Sequence, residues 1–278
     1  MKTTAGIVNW NSGRHLQACV ESLLGEPDLK ILVFDNASQD DSLDFAGRES
    51  SRAQVVRSSE NRGFAGGVNE ILQRAETPYV LILNPDVQAA PGSIRLMEQF
   101  MDTHPRAAAI GGYAGEKYLP RLLPTMWTLL RENLGLPVGA VYDRAGDFIQ
   151  VEQVAAAAIM IRREISKGTL IFDPGFYPAW YEDVDFCRRL QRDNWEVYFA
   201  PEARFAHAGG YSAKAMGSGR FVDAYYRNQV RYAQKWFRWH EVLAVRASVA
   251  AGVIGRMIAR PSNLPGYSKV LFGALIGW

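Results

Sequence analysis

Five apolar residues in a row, Tyr79-Val80-Leu81-Ile82-Leu83, run directly into Asn84-Pro85-Asp86. A strand without polar alternation is buried on both faces, as happens when helices cover both sides of a parallel sheet. The residues before it fit such a sheet. Gly6-Ile7-Val8-Asn9 reads as a short strand, and Leu16, Val20, Leu23 and Leu24 share one face of a following helix. Lys30 to Asp35 is a second strand and Val55-Val56 a weaker third; a helix from Val68 to about Arg74 follows a glycine-rich turn. Strand alternating with helix predicts an α/β fold, a Rossmann-like, mostly parallel sheet flanked by helices. Ligands of such sheets bind beyond the carboxyl ends of the strands, where Asn9, Asp35 and Asp86 all fall.

The chain has 278 residues, 48% of them hydrophobic, enough for one large domain or for a domain with an appendage. Its 22% of charged residues is ordinary and excludes global disorder. The two cysteines, Cys19 and Cys187, have no metal-site spacing and are too few for a disulfide framework. The N-terminus runs straight into a strand rather than a signal peptide, so a reducing, cytoplasmic setting is expected. Further along, Pro120, Pro124 and Pro137 break residues 113–148 into loop with a short helix. Val154 to Arg162 reads as a buried strand, Glu182 to Asp193 as a helix and Val197-Tyr198-Phe199 as a last strand.

Several positions carry candidate chemistry. Asp35, at a strand end, can accept from a nucleobase or ribose, or cap the turn Asn36-Ala37-Ser38. The turn Gly63-Phe64-Ala65-Gly66-Gly67 allows close backbone approach and opens a helix whose N-terminus favours anions, or is a tight loop and nothing more; it is neither a dinucleotide fingerprint nor a Walker sequence. In Asn84-Pro85-Asp86 the proline stiffens the turn and holds Asp86 past the strand. One carboxylate plus substrate phosphates is a common way to hold Mg²⁺ or Mn²⁺, while Asn-Pro-Asp is also an ordinary turn. Glu182, Asp183 and Asp185 crowd three carboxylates together; that raises at least one pKa, as a base requires, and equally suits a helix N-terminus. His207 could complete a metal site with Asp86, or be a packed histidine.

In order, these stretches resemble the inverting family-2 glycosyltransferases of GT-A fold, in particular their bacterial rhamnosyltransferase-like branch. The resemblance rests on Ile7-Val8-Asn9-Trp10-Asn11, Val33-Phe34-Asp35-Asn36-Ala37-Ser38, Asn61-Arg62-Gly63-Phe64-Ala65-Gly66-Gly67, Leu83-Asn84-Pro85-Asp86, Trp180-Tyr181-Glu182-Asp183-Val184-Asp185 and His207, and covers residues 4–212. It implies that Asp35 reads a uracil or thymine ring with Asn9 in the same pocket, and that Asn61, Gly63 and Asn69 lie near the ribose and diphosphate. It implies a divalent cation, Mg²⁺ or Mn²⁺, on Asp86 and His207, with Asn84 where the family's first acid stands. Asp183 resembles the family's base; Glu182 and Asp185 would orient it or contact the acceptor, and Trp180 would pack on a sugar face. The implied partners are a nucleotide-sugar donor, dTDP-rhamnose or a UDP-sugar, and a glycan or lipid-linked acceptor, in building cell-envelope polysaccharide. Residues 1–112 would form the nucleotide-binding half, 113–219 the acceptor half and 220–278 a helical extension. A sugar-phosphate nucleotidyltransferase and a non-catalytic nucleotide-sugar-binding scaffold compete with this reading. The first calls for a glycine- and arginine-rich loop after the first strand, where Trp10-Asn11-Ser12-Gly13-Arg14 stands instead.

Charge is unevenly spread. From Arg220 onward, nine Lys and Arg face only Asp223 and Glu241, a balance of +7; with +2 overall, residues 1–219 carry −5. A basic tail on an acidic body calls for a phosphate or an anionic lipid surface rather than nucleic acid. Projected as one helix at about 100° per residue, residues 226–260 gather Arg227, Arg231, Lys235, Arg238, Arg246, Arg256 and Arg260 in one sector. This predicts an interfacial helix, with peripheral association at the inner face of the cell membrane, or else a pair of helices packed on the catalytic domain with a solvated basic face, a break that His240, Gly252 and Gly255 would favour. Arg246 and Arg256 interrupt the apolar run, which speaks against a transmembrane span.

Overall fold

The computed structural model describes residues 1–47, 52–138, 146–167, 171–209, 216–259 and 263–278. They form two compact units: a sheet unit of residues 1–122, 140–174 and 182–212, and a helical unit of residues 123–139, 175–181 and 213–278. Boundaries expected at 112 and 219 therefore become an interleaved division. A short helix and a loop from the middle of the chain join the C-terminal helices.

The sheet unit is the predicted α/β layer structure. Its first half is β1 (Thr3–Asn9), α1 (Arg14–Leu24), β2 (Lys30–Asp35), β3 (Ala53–Arg57), α2 (Gly63–Arg74), β4 (Tyr79–Leu83), β5 (Val87–Ala89) and α3 (Ser93–Thr103). Its second half is β6 (Ala107–Tyr113), β7 (Ile149–Val151), β8 (Ala158–Arg162), α5 (Glu182–Arg192) and β9 (Glu196–His207); α4 (Met126–Asn133) lies between β6 and β7 and belongs to the helical unit. The strand order is β3-β2-β1-β4-β8-β6-β9-β5, with β7 also on β9. The strands β3, β2, β1 and β4 are mutually parallel, β8 runs against both β4 and β6, and β6 pairs parallel with β9.

All five residues of β4 are buried, as their unbroken apolar run requires. Helix α1 buries Leu16, Cys19, Val20 and Leu23, spaced by three and four positions so that they share one face. Two glycines let α2 lie close on the sheet: a Cβ at Gly6 would meet Ile71 Cγ2 at 2.3 Å, and one at Gly67 would meet Val8 Cγ1 at 2.6 Å. The last strand is much longer than the three residues expected. It extends to His207, and its far end pairs with β5 in the register Val87↔His207.

The helical unit contains α4 (Met126–Asn133), α6 (Ser218–Trp236), α7 (Trp239–Ala259) and α8 (Leu264–Ile276). Val245, Val249 and Val253 form the buried stripe of α7. The single long helix assumed for residues 226–260 is not formed: Phe237 is extended, with φ −114° and ψ 163°, and separates α6 from α7. The common arginine sector is lost with it, and Arg260 lies outside the described residues. Several of these arginines instead serve the unit's own backbone. Arg246 Nε donates to Ala274 O at 2.8 Å, and Arg256 Nη1 to Asn133 O at 2.7 Å. Both carbonyls stand at helix C-termini, where the last carbonyls lack a helical partner and a cation suits the dipole. By length and composition α7 is apolar enough to cross a membrane, with mean hydropathy 1.7, so Arg246 and Arg256 do not exclude a span on that criterion.

Candidate functional site

At the carboxyl end of β1 and β2 a buried polar network surrounds Asp35. Asn9, fully buried, donates through Nδ2 to Asp35 Oδ1 at 2.8 Å, Ser42 Oγ at 2.9 Å and Ser38 Oγ at 3.1 Å. Its Oδ1 accepts from Ser12 Oγ. Asn9 was expected to line the nucleotide pocket. It is buried and does not line the cleft beside Asp35, and its amide is occupied in holding Asp35. The other Asp35 oxygen accepts from Ser38 N at 3.3 Å, the turn-capping bond, so capping and presentation of this carboxylate coexist. Beside Asp35 opens a cleft of about 430 Å³, lined also by Ser38, Asp44, Arg57 and Ser58. Its size suits a small ligand of a few hundred cubic ångströms. Sequence reasoning missed these last four residues. Ser38 stood in the quoted motif without a role, while Arg57 ends a strand that reads weakly.

The glycine-rich turn is tied to the same strand end. Asn36 Nδ2 donates to Gly63 O at 2.9 Å, and Asn36 Oδ1 accepts from Arg62 N at 2.9 Å. Asn61 Oδ1 accepts from Gly63 N at 2.8 Å, and Gly63 adopts φ +71°, a left-handed conformation that glycine tolerates best. Asn69 was expected near the ribose and diphosphate, and its side chain is taken up by another segment of the chain. Its amide clamps the Phe172 backbone, Nδ2 donating to Phe172 O at 2.8 Å and Oδ1 accepting from Phe172 N at 3.0 Å. Asn69 fastens a later segment onto α2.

Asp86 and His207 lie 121 positions apart and meet because β5 pairs with β9. His207 Nε2 is 2.9 Å from Asp86 Oδ1, and Ala208 N donates to Asp86 O at 3.0 Å. The His207 ring stacks on Tyr118 at 4.4 Å, a partner hidden in the proline-broken segment that the sequence left unread. Nδ1 of His207 is buried without a hydrogen-bond partner. Neighbouring ligands of an octahedral ion with bonds of about 2.0–2.1 Å stand about 2.9 Å apart. Asp86 and His207 are in hydrogen-bond contact here, and the same spacing is compatible with two adjacent positions of one coordination sphere. Among the described residues no group of three His, Cys, Asp or Glu forms a metal cage, so the remaining positions would fall to substrate oxygens and water. Asn84 sits half-buried at the bend, its N–H on Ala157 O at 3.1 Å and its carbonyl accepting from Val87 N at 3.1 Å.

The three acids open α5 in three different states. Asp183 is half-buried; its Oδ2 accepts from Ala156 N at 3.1 Å and its Oδ1 from Val184 N at 2.8 Å. Burial raises its pKa above the usual carboxylate value, against those two bonds. Glu182 is buried, with Oε2 unpartnered, and burial together with the Asp183 charge raises its pKa well above the usual value. Asp185 has no exposed surface and pairs with Arg189 at 2.8 Å, so direct contact with an acceptor is ruled out for it. Arg189 in turn donates to Ile171 O at 2.5 Å, which ties Asp185 to the loop before α5. Trp180 belongs to the helical unit. There it meets Phe221 edge-on, ring centroids 4.7 Å apart, and its carbonyl accepts from Asn228 Nδ2 at 3.2 Å.

Comparison with known proteins gives concordant results. The family described as "Glycosyl transferase family 2" matches residues 4–167. A curated relative, the N-acetylglucosaminyl-diphospho-decaprenol L-rhamnosyltransferase of Mycobacterium tuberculosis, is 25% identical over 235 residues, covering 74% of this chain and 75% of its own. Among solved structures, GalNAc-T7 with UDP, GalNAc and Mn²⁺ aligns with TM-score 0.64 and 13% identity, over 99% of this chain and 56% of its own. The mannosyltransferase PcManGT of Pyrobaculum calidifontis, in complex with GDP-Man and Mn²⁺, aligns with TM-score 0.58 and 14% identity, over 99% of this chain and 85% of its own. These structural likenesses establish the GT-A fold.

Proposed function

The chain belongs to glycosyl transferase family 2 and is a glycosyltransferase, and from that premise we propose that it moves a sugar, with inversion, from a nucleotide diphosphate to a lipid-linked or glycan acceptor. The observation that carries the reading is the Asp86–His207 pair, set at ligand spacing where β5 meets β9. Asp86 and His207 would hold Mg²⁺ or Mn²⁺, which when bound neutralises charge on the departing diphosphate. Asp35, held in place by Asn9, accepts an N–H of the donor's base in the adjoining cleft. Asp183 takes the acceptor hydroxyl proton as that oxygen attacks the anomeric carbon from the face opposite the diphosphate. The bond to the diphosphate oxygen breaks with its electron pair leaving on the diphosphate. A carboxylate whose pKa is raised by burial is the better base for this step. No covalent intermediate forms, and the configuration inverts.

The L-rhamnosyltransferase activity named for the mycobacterial relative supports rhamnosyl transfer to a lipid-linked N-acetylglucosamine as the specific case; dTDP-rhamnose is the donor that the family resemblance implies. Nucleotidyl transfer and a non-catalytic scaffold, the competing readings, give way to the family membership. The test is turnover of the purified chain with dTDP-rhamnose, UDP-sugars and GDP-mannose on an N-acetylglucosaminyl polyprenyl diphosphate, the product anomer read by NMR. Inverted rhamnoside is expected. A product of retained configuration, or transfer of the nucleotidyl group, would overturn the mechanism.

A further inference from the structure

The helical unit holds a second cleft, of about 170 Å³, whose lining includes Arg227, Arg231, Gln234, Arg246 and Trp278. At about 30 Å³ per water, it admits a phosphate-sized group, and it is too small for a whole nucleotide sugar. Three arginines line it, and no Asp or Glu does among the described residues. Arg227 donates through Nη2 to Tyr177 O at 2.6 Å, and Arg246 to the end of α8 as described. A guanidinium carries five donors, so these bonds fix the two side chains without using up their capacity.

The surface beside this cleft is apolar. Arg246 rests on the carbonyl of Ala274, and the next two residues, Leu275 and Ile276, are 66% and 70% exposed. Phe272 on the same helix, and Leu243, Ile254 and Ile258 along α7, are exposed as well. Large apolar side chains left exposed along two neighbouring helices in this way point to an interaction site. Cationic side chains around a phosphate-sized cleft next to exposed aliphatic and aromatic residues match an amphipathic ligand with an anionic head and a hydrocarbon tail. We infer that the arginine-lined cleft of residues 227–246 and Trp278 binds a phosphate group carried on a lipid, while the exposed faces of α7 and α8 enter the hydrocarbon boundary. This differs from the interfacial helix expected from the sequence: selectivity lies in a built pocket, not in a stripe of arginines.

The test uses the full chain and flotation with phosphatidylcholine vesicles, with and without a share of phosphatidic acid. Binding to the phosphatidic acid vesicles should exceed binding to phosphatidylcholine alone. Gln234 is exposed at the rim, and Gln234→Glu adds one negative charge without removing a guanidinium; it should lower that binding about tenfold. Arg220→Gln makes the same charge change roughly 20 Å away along α6 and should leave most of the binding intact. Leu275→Ser with Ile276→Ser, at exposed positions, should also release the protein from vesicles. Equal losses for Gln234→Glu and Arg220→Gln would mean diffuse surface charge and overturn the pocket. Absence of any preference for phosphatidic acid would overturn it too. If pyrophosphate at constant ionic strength raises the melting temperature of wild type but not of Gln234→Glu, while vesicle binding ignores that substitution, the ligand is a soluble phosphate and the lipid assignment falls. None of these measurements needs a donor or turnover, so their failure leaves the transfer reaction untouched.

Discussion

Replacing Asp183 by Asn separates the chemical task of this side chain from its structural one. Its carboxylate accepts from Ala156 N at 3.1 Å and from Val184 N at 2.8 Å. An amide oxygen can keep one of these bonds, but the NH₂ then faces the other donor, at a cost of about 1–3 kcal/mol for a buried group left unsatisfied. Against this, the substitution removes a charge that burial disfavours. In the wild type, the folded state holds the Asp183 proton to higher pH than the unfolded state does. Stability therefore falls as pH rises from the ordinary carboxylate value to the raised one, and the full penalty persists above it. The variant lacks this dependence. It should be less stable than wild type at low pH and gain on it as pH rises through that window. Turnover should fall about 10²–10⁴-fold, equivalent to about 3–5.5 kcal/mol of barrier, the usual contribution of a positioned base. Donor affinity should be unchanged, since Asp183 does not line the cleft at Asp35. The assay combines kcat against pH, donor binding by calorimetry and urea melts of both proteins at several pH values. The wild-type acid limb should lie above the ordinary carboxylate range. A variant that retains turnover, or whose lost turnover is matched by lost donor affinity, would refute the assignment of Asp183 as base.

Further outcomes follow from the same geometry. Excess chelator should abolish turnover and Mn²⁺ or Mg²⁺ restore it, while Asp86→Ala should stay inactive at any metal concentration; full activity in chelator would remove the metal from the mechanism. Asn69→Leu strips both bonds from the Phe172 backbone and should cost about 2–4 kcal/mol in a urea melt, with donor affinity retained in the folded fraction. If donor affinity falls while stability holds, Asn69 belongs to the ligand after all. Asn9→Asp would set a second carboxylate against Asp35 at hydrogen-bond distance and should weaken donor binding more than Asn9→Ser does, with the difference shrinking at acidic pH as one carboxylate takes up a proton. Equal affinities for the two variants at neutral pH would mean that Asn9 does not act through Asp35.

The alternation of apolar runs with helical faces determined the sheet layer without any tertiary knowledge. Residues 79–83 are apolar throughout, and only a strand covered on both faces buries them all. The same pattern located Asn9, Asp35 and Asp86 at strand ends, because side-chain periodicity and strand termini are local properties. Asn61 accepts from Gly63 N only two positions on, whereas Asn36 holds Arg62 and Gly63 from 26 and 27 positions away, a tie that no local pattern announces. What each polar group does with its hydrogen bonds was not legible in the sequence. Asn69 and Phe172, 103 positions apart, compose one clamp, and no local pattern announces it. Arg189 removes Asp185 from the candidates for acceptor contact, whereas Asp183, two positions earlier, stays half-buried; composition alone left the three acids equivalent. The tail shows the same limit. Its excess of arginine was plain from the sequence, but one extended residue, Phe237, changes the direction of every side chain after it. The carbonyls at the ends of α4 and α8 then hold Arg256 and Arg246, and Arg246 lines a cleft as well. Desolvation and pairing depend on groups that the chain brings together only by folding, so burial and partner identity were left to the tertiary structure.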